Sequence, residues 1–316
     1  MTTLKRLSAL ALCLGCSVLL TATSASAVTT DPSEVTQPGQ FRLQPRIIDV
    51  NGLRTSYAVL GSGGTVPLLL LNGTGSPMSQ WDPALLSRLS ASRRVIVYDY
   101  PGLGRSEAMP GRLTFGRLAD HASGLLRALD IHHADVLGWS MGGFVAQRLS
   151  TNGDSVVRRL VLAATNPGGP RAVLGPAWVQ QEDSDAQASA RAYVRANYPP
   201  GARGQGWAFV HRVNRAIAEG RYPLDVVPAV TYDAMVGAED PWLRSTGNLD
   251  RIRSVSLPVL VVTGSEDVVT PPVNSRLIAS ALSNATLTLV PGAGHSFLFQ
   301  APAQSARLIA AFLDAA

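Results

Sequence analysis

The chain has 316 residues, 46% hydrophobic and 16% charged, which supplies a sizeable core and argues against intrinsic disorder. The net charge of +5 comes from scattered arginines without a dense basic run, so there is no electrostatic footprint for nucleic acid. The length fits a large globular domain with room for a small second one.

The chain starts with a positive pair, Lys5-Arg6. An apolar run of 14 residues follows from Leu7 to Leu20, short for a bilayer span. Thr21 to Ala27 is small and polar and ends Ala25-Ser26-Ala27. These three parts predict a secretory signal peptide over residues 1–27, cut after Ala27. The mature protein is then expected to be secreted, or held in the periplasm or cell envelope, with no integral membrane span. Both cysteines, Cys13 and Cys16, fall inside this segment. A lipoprotein anchored through Cys16 fits less well, because Cys13 stands where a leucine is usual and the apolar run continues through Val18-Leu19-Leu20.

Residues 28–44 are polar and proline-bearing and read as a flexible leader. A hairpin is expected next. Arg46–Val50 and Leu53–Leu60 are strand-like and flank the turn dipeptide Asn51-Gly52. Buried-strand runs then alternate with helical patterns. Strands are expected at Val66–Leu71, Arg94–Tyr98, Ala134–Trp139 and Val156–Ala163. Helices are expected at Trp81–Leu89, Phe115–Leu129 and Gly142–Leu149. The alternation stops between Asn166 and Asn248. It resumes with Pro258–Val262 and Ala285–Val290 as strands and Pro272–Leu282 and Pro302–Leu313 as helices. The fold class is therefore α/β, a mostly parallel sheet with helices on both faces. Residues 45–165 and 250–316 form its core. Residues 166–249 are an insertion over the carboxyl ends of the strands, where such sheets bind ligands.

The strongest local signal is Gly138-Trp139-Ser140-Met141-Gly142-Gly143. It lies at the end of one expected strand and opens the next helix, the context a G-x-S-x-G nucleophile requires. A serine raised on so sharp a turn has strained backbone angles, and its glycine neighbours permit the close approach. A hydroxyl needs a base. Of the five histidines, His132 and His133 precede the Ser140 strand at the far end of the sheet, His121 is mid-helix and His211 is in the insertion. His295 follows the last strand in Gly292-Ala293-Gly294-His295, on the edge where Ser140 emerges. An acid must orient that base. Gly264-Ser265-Glu266-Asp267 leaves the end of another strand, and Asp267 is preferred over Glu266. The order Ser140, Asp267, His295 is the one expected for this architecture. One oxyanion donor is expected to be the N–H of Met141, and the second comes from the loop Asn72-Gly73-Thr74-Gly75.

With these residues in place the chain resembles the α/β-hydrolase family, and more narrowly its small esterase and cofactor-free haloperoxidase-like branch. The resemblance runs from about Arg46 to the C-terminus. It rests on Gly138–Gly143, Tyr98–Ser106, Gly264–Asp267 and Gly294-His295. It implies an α/β-hydrolase fold, Ser140 as nucleophile, Asp267 as acid, His295 as base, Thr74 and Met141 as oxyanion donors, and a helical cap over 166–249. Asn72-Gly73 stands where the family usually has His-Gly, which leaves Thr74 and Gly75 both open as the donor. Ser140 argues against the epoxide hydrolase and haloalkane dehalogenase branches, which place an aspartate there.

The expected activity is hydrolysis of small or medium apolar carboxylic esters. Trp139, Trp207 and Phe209 are the candidate substrate contacts, with Trp178, Tyr193, Tyr198 and Trp242 as further cap aromatics. One alternative is an exported aminopeptidase resembling the proline iminopeptidase branch, using Glu182, Asp183, Glu219 or Glu239 to hold an ammonium. Another is a non-catalytic binding protein on the same scaffold. No metal-ligand spacing or phosphate loop is present, so no cofactor is expected. Nothing in the sequence sets the oligomeric state.

Overall fold

The computed structural model describes residues 41–152, 156–183, 185 and 188–315. The expected signal peptide, both cysteines and the leader up to residue 40 lie outside the described residues. In the described part of the leader, Leu43 is buried and its N–H donates to the carbonyl of Arg221 at 2.8 Å. Phe41 packs edge-on against Tyr222. The last residues expected as flexible leader are thus pinned by two apolar side chains.

The hairpin forms as read: β1 (Arg46–Val50) pairs antiparallel with β2 (Leu53–Leu60). Asn51 and Gly52 both have positive φ, the twist-matched geometry of a two-residue turn. Next come β3 (Leu68–Leu71), α1 (Pro83–Ser90), β4 (Val95–Tyr98), α2 (Phe115–Ala128), β5 (Ala134–Trp139), α3 (Met141–Leu149) and β6 (Val157–Ala163). The insertion carries α4 (Ala177–Asp183), α5 (Ala190–Asn197), α6 (Arg203–Ala218), α7 (Ala229–Arg244) and α8 (Asn248–Arg253). The core closes with β7 (Val259–Gly264), α9 (Pro272–Ala281), β8 (Ala285–Val290), α10 (Phe297–Gln300) and α11 (Pro302–Leu313). Most boundaries move by one or two residues. The first helix starts at Pro83 and not at Trp81, because the Asp82 carboxylate caps the N–H of Ala84 and Pro83 fits the first turn. The short α10 was not anticipated.

The eight strands form one sheet in the order β1-β2-β4-β3-β5-β6-β7-β8, with β2 antiparallel to both its neighbours and the rest parallel. The apolar runs are buried on both faces with a period of two. Leu69, Leu71, Val136 and Leu162 face Leu118, Leu125 and Phe144 of α2 and α3. Leu68, Leu70, Leu137 and Val161 face Leu85, Leu86 and Ile309 of α1 and α11. The insertion docks on the second side through α6. Its Arg212 guanidinium donates from Nε to Asp82 Oδ1 at 3.0 Å and from Nη2 to the carbonyl of Phe299 at 2.9 Å. Asp82 is fully buried. Phe209, one turn earlier, stacks on Phe299 at 4.7 Å between ring centroids. The parallel strands end beneath this insertion and direct their carboxyl-edge loops toward it.

Candidate active site

Ser140 stands between β5 and α3 with φ +56° and ψ −123°, a strained conformation for a residue with a side chain. The turn is so tight that a Cβ on Gly138 would lie 2.3 Å from the carbonyl oxygen of Gly142. A Cβ on Gly142 would lie 2.1 Å from that of Leu71. Glycine at these two positions is therefore a steric requirement. The strain holds the Ser140 hydroxyl above the sheet edge, and the N-terminus of α3 lies directly behind it.

His295 Nε2 lies 3.0 Å from Ser140 Oγ. On its other side, Nδ1 lies 3.1 Å from Asp267 Oδ2 and 3.2 Å from Oδ1. An ionised carboxylate only accepts, so Nδ1–H donates to it and Nε2 is left to accept the serine proton. Asp267 is 3% exposed and held by an Asx-type turn. Its Oδ1 accepts the N–H groups of Val269 and Thr270 at 2.9 Å, and its Oδ2 accepts the hydroxyls of Thr263 and Thr270 at 2.8 Å. Glu266, the competing acid, is exposed to solvent. The His295 loop is fastened from two directions. Trp139 Nε1–H donates to the carbonyl of His295 at 3.1 Å, and the N–H of Ser296 donates to the carbonyl of Asn197 at 3.2 Å.

The loop after β3 lies against Ser140, with a Cβ on Gly73 placed 3.5 Å from that of Ser140. Asn72, the departure from His-Gly, is buried and closes the loop on itself. Its Oδ1 accepts the N–H of Gly73 and its Nδ2 donates to the carbonyl of Pro77, both at 3.0 Å. The N–H of Gly75 is engaged by Met235 Sδ at 3.4 Å. Those of Thr74 and Met141 meet no acceptor among the described residues. Of the two candidates left open by the sequence, Thr74 therefore has the available donor.

The sequence profile of the Alpha/beta hydrolase family matches residues 68–308. The chain belongs to the alpha/beta hydrolase family. The hydrolase is 32% identical over 264 residues to the non-heme bromoperoxidase BpoC of Mycobacterium tuberculosis, covering 79% of this chain and 94% of the relative. It is 30% identical over 277 residues to the 2-hydroxymuconate semialdehyde hydrolase of Pseudomonas sp. strain CF600, covering 85% and 93%. Among solved structures it is similar to an alpha/beta hydrolase fold protein from Chitinophaga pinensis, with a TM-score of 0.74, 25% identity and coverage of 88% and 99%.

In this hydrolase Ser140 and His295 open into a cavity of about 100 Å³, roofed by the cap through Tyr193, Val227 and Tyr232 and bordered by Thr74 and Gly75. A second, more apolar chamber adjoins it across Trp139 and Tyr193, and is closed by Phe209, Val210, Val213 and Phe299. Trp139 and Phe209, two of the three candidate substrate contacts, both line this chamber. Trp207 does not: it lies two residues from Phe209 on α6, so the helical twist turns it outward to 39% exposure beside His211. Trp178 is also exposed, under the Arg195 guanidinium, and Trp242 is buried between Phe115 and Phe144. Of the four cap carboxylates, Glu182 borders the cavity and is ion-paired with Arg195. Glu219 is tied to Arg221, Glu239 bonds the Thr74 hydroxyl, and the Asp183 side chain lies outside the described atoms. Asn197, Thr270, Tyr232 and Met235 were missed in the sequence. Only Thr270 left a signal there, as the third residue after an aspartate.

Proposed function

We propose that this family hydrolase is an exported carboxylic-ester hydrolase working through an acyl-enzyme on Ser140. The observation that carries the reading is the continuous relay from Ser140 Oγ through the His295 ring to Asp267, at 3.0 and 3.1 Å. Ser140 Oγ attacks the ester carbonyl as His295 Nε2 takes its proton. The carbonyl oxygen gains negative charge, which the N–H groups of Thr74 and Met141 stabilise. Collapse breaks the ester C–O bond, and His295 returns the proton to the leaving alkoxide. A water then attacks the acyl-enzyme by the same route and releases the acid. Asp267 keeps the proton on Nδ1 and stabilises the imidazolium.

The apolar chamber supports an ester with one compact hydrophobic group. Of the two acids that line the cavity, Glu182 and Asp185, the first is ion-paired with Arg195, which weighs against the aminopeptidase reading. Export is supported by the charged, apolar and small-residue parts of residues 1–27, cut after Ala27. The test is fluorophosphonate labelling of parent and Ser140→Ala, followed by turnover of chromogenic esters against aminoacyl anilides. Labelling at Ser140 with ester turnover is expected. Preference for anilides moves the assignment to an aminopeptidase, and absence of labelling removes the catalytic reading.

A further inference from the structure

The loop that carries Thr74 is held from above by one face of a cap helix. Thr74 Oγ1 donates to Glu239 Oε1 at 2.8 Å. The N–H of Gly75 donates to Met235 Sδ at 3.4 Å. The Tyr232 ring lies so close to Gly75 that a Cβ there would meet its Cδ2 at 2.2 Å. Residues 232, 235 and 239 are three and four apart on α7 and therefore share one face. Thr74 itself sits between Gly73 and Gly75, and Gly75 has φ +62°. Two glycines give a backbone wide conformational freedom, whereas an oxyanion donor must be fixed within tenths of an ångström to be effective. The core meets this loop at its base, where the Tyr100 hydroxyl donates to the carbonyl of Asn72 at 3.2 Å, and Asn72 closes the loop on itself. Thr74 lines the cavity and directs its hydroxyl to the cap.

We propose that Glu239 is a positioning residue, which aligns the Thr74 N–H by holding the Thr74 hydroxyl, so that the oxyanion hole is complete only with α7 seated. This rests on the reading of Thr74 as an oxyanion donor. A carboxylate is an unfavourable neighbour for a developing oxyanion, since like charges repel. What Glu239 contributes is therefore an acceptor at the right place, and its charge is not needed. Glutamine at 239 keeps that acceptor and removes the repulsion.

The experiment compares the parent with Glu239→Gln, Glu239→Ala, Thr74→Val, and the double variant Glu239→Ala/Thr74→Val. Three quantities are read: kcat and KM on a short chromogenic ester, the rate at which a p-nitrophenyl phosphonate inactivates Ser140, and thermal melting by circular dichroism. The phosphonate oxygen occupies the oxyanion hole, so that rate reports the hole directly. Loss of a whole oxyanion donor costs about 100- to 1,000-fold, so misalignment by Glu239→Ala is expected to lower kcat and the phosphonate rate roughly 10- to 100-fold. KM should change little, and the double variant should be no worse than either single one, since both remove the same bond. Glu239→Gln should restore the parent rates or exceed them. Parent-like phosphonate rates in Glu239→Ala, an effect on KM alone, or a Glu239→Gln as slow as Glu239→Ala each overturn the proposal. If Glu239→Ala does not melt like the parent, Thr74→Val against Thr74→Ser makes the same comparison. A parent that neither reacts with the phosphonate nor turns over ester overturns the reading of the site beneath it. A reactive parent with an indifferent Glu239→Ala overturns only the role of Glu239.

Discussion

Thr270 and His295 converge on one oxygen: Asp267 Oδ2 accepts the Thr270 hydroxyl at 2.8 Å and faces His295 Nδ1 at 3.1 Å. Every lone pair of this buried carboxylate is directed, so it has one orientation and fixes one tautomer of the imidazole. Asp267→Asn would turn a donor toward Nδ1 and favour the wrong tautomer. Its expected cost is on the order of ten-thousand-fold in kcat. Ser140→Ala and His295→Ala should each cost on the order of a million-fold, and combining them should cost little more. The exposed Glu266 predicts parent-like turnover for Glu266→Gln. Steady-state kinetics with circular dichroism check this, and a folded Asp267→Asn with near-parent kcat would remove Asp267 from the relay.

Phe209 and Trp207 are two residues apart yet separate cleanly as a test of specificity. Phe209 closes the apolar chamber; Trp207 faces solvent. Phe209→Ala enlarges the chamber and should shift preference toward longer acyl or alcohol groups. A single methylene is worth roughly 10- to 200-fold in kcat/KM, so a change of about ten-fold between adjacent chain lengths is expected. Trp207→Ala should leave the ranking unaltered. Relative kcat/KM across a homologous ester series decides between them.

The Arg212–Asp82 pair is a forked ion pair between the insertion and the core. Asp82 is fully buried, so Arg212→Ala strands a carboxylate in the interior, which typically costs about 3–5 kcal/mol. Arg212→Lys cannot reproduce the fork and should recover only part of it. Both effects are measurable by chemical denaturation. A loss below about 1 kcal/mol in Arg212→Ala would show that this pair contributes little to seating the cap.

His121 makes stability depend on pH. Burial lowers its pKa from 6.5 to about 4, and its Nε2 lies 3.0 Å from the Thr55 hydroxyl, which itself donates to Leu53. The folded pKa is depressed, so the unfolded chain binds the extra proton between about pH 6.5 and 4. This contribution to stability is present above pH 6.5 and is lost as the pH falls toward 4. The slope approaches about 1.4 kcal/mol per pH unit within that window. Burial raises the pKa of Asp99 to about 7, which gives the opposite slope over the same range, so His121→Gln should lower the parent's slope by the His121 contribution. Denaturation midpoints at pH 7, 5.5 and 4.5 measure it, and an unchanged slope would assign the acid sensitivity to other groups.

The sequence by itself determined the α/β class, the hairpin at Asn51-Gly52, the place of the insertion, and the grouping of Ser140, Asp267 and His295 on one edge of the sheet. Those features are local: apolar runs set by the two-residue period, glycines forced by a tight turn, and parallel strands whose ends all point one way. Only the tertiary structure decided that Asp267 and not Glu266 turns inward, since adjacent loop residues differ in direction and not in chemistry. The same holds for Gly75, whose N–H is engaged by Met235 160 residues away. It holds for Trp207 and Phe209, which only the docked rotation of α6 tells apart. These outcomes depend on how the insertion seats on the core, and contacts between segments so distant in sequence leave no periodic trace in either one.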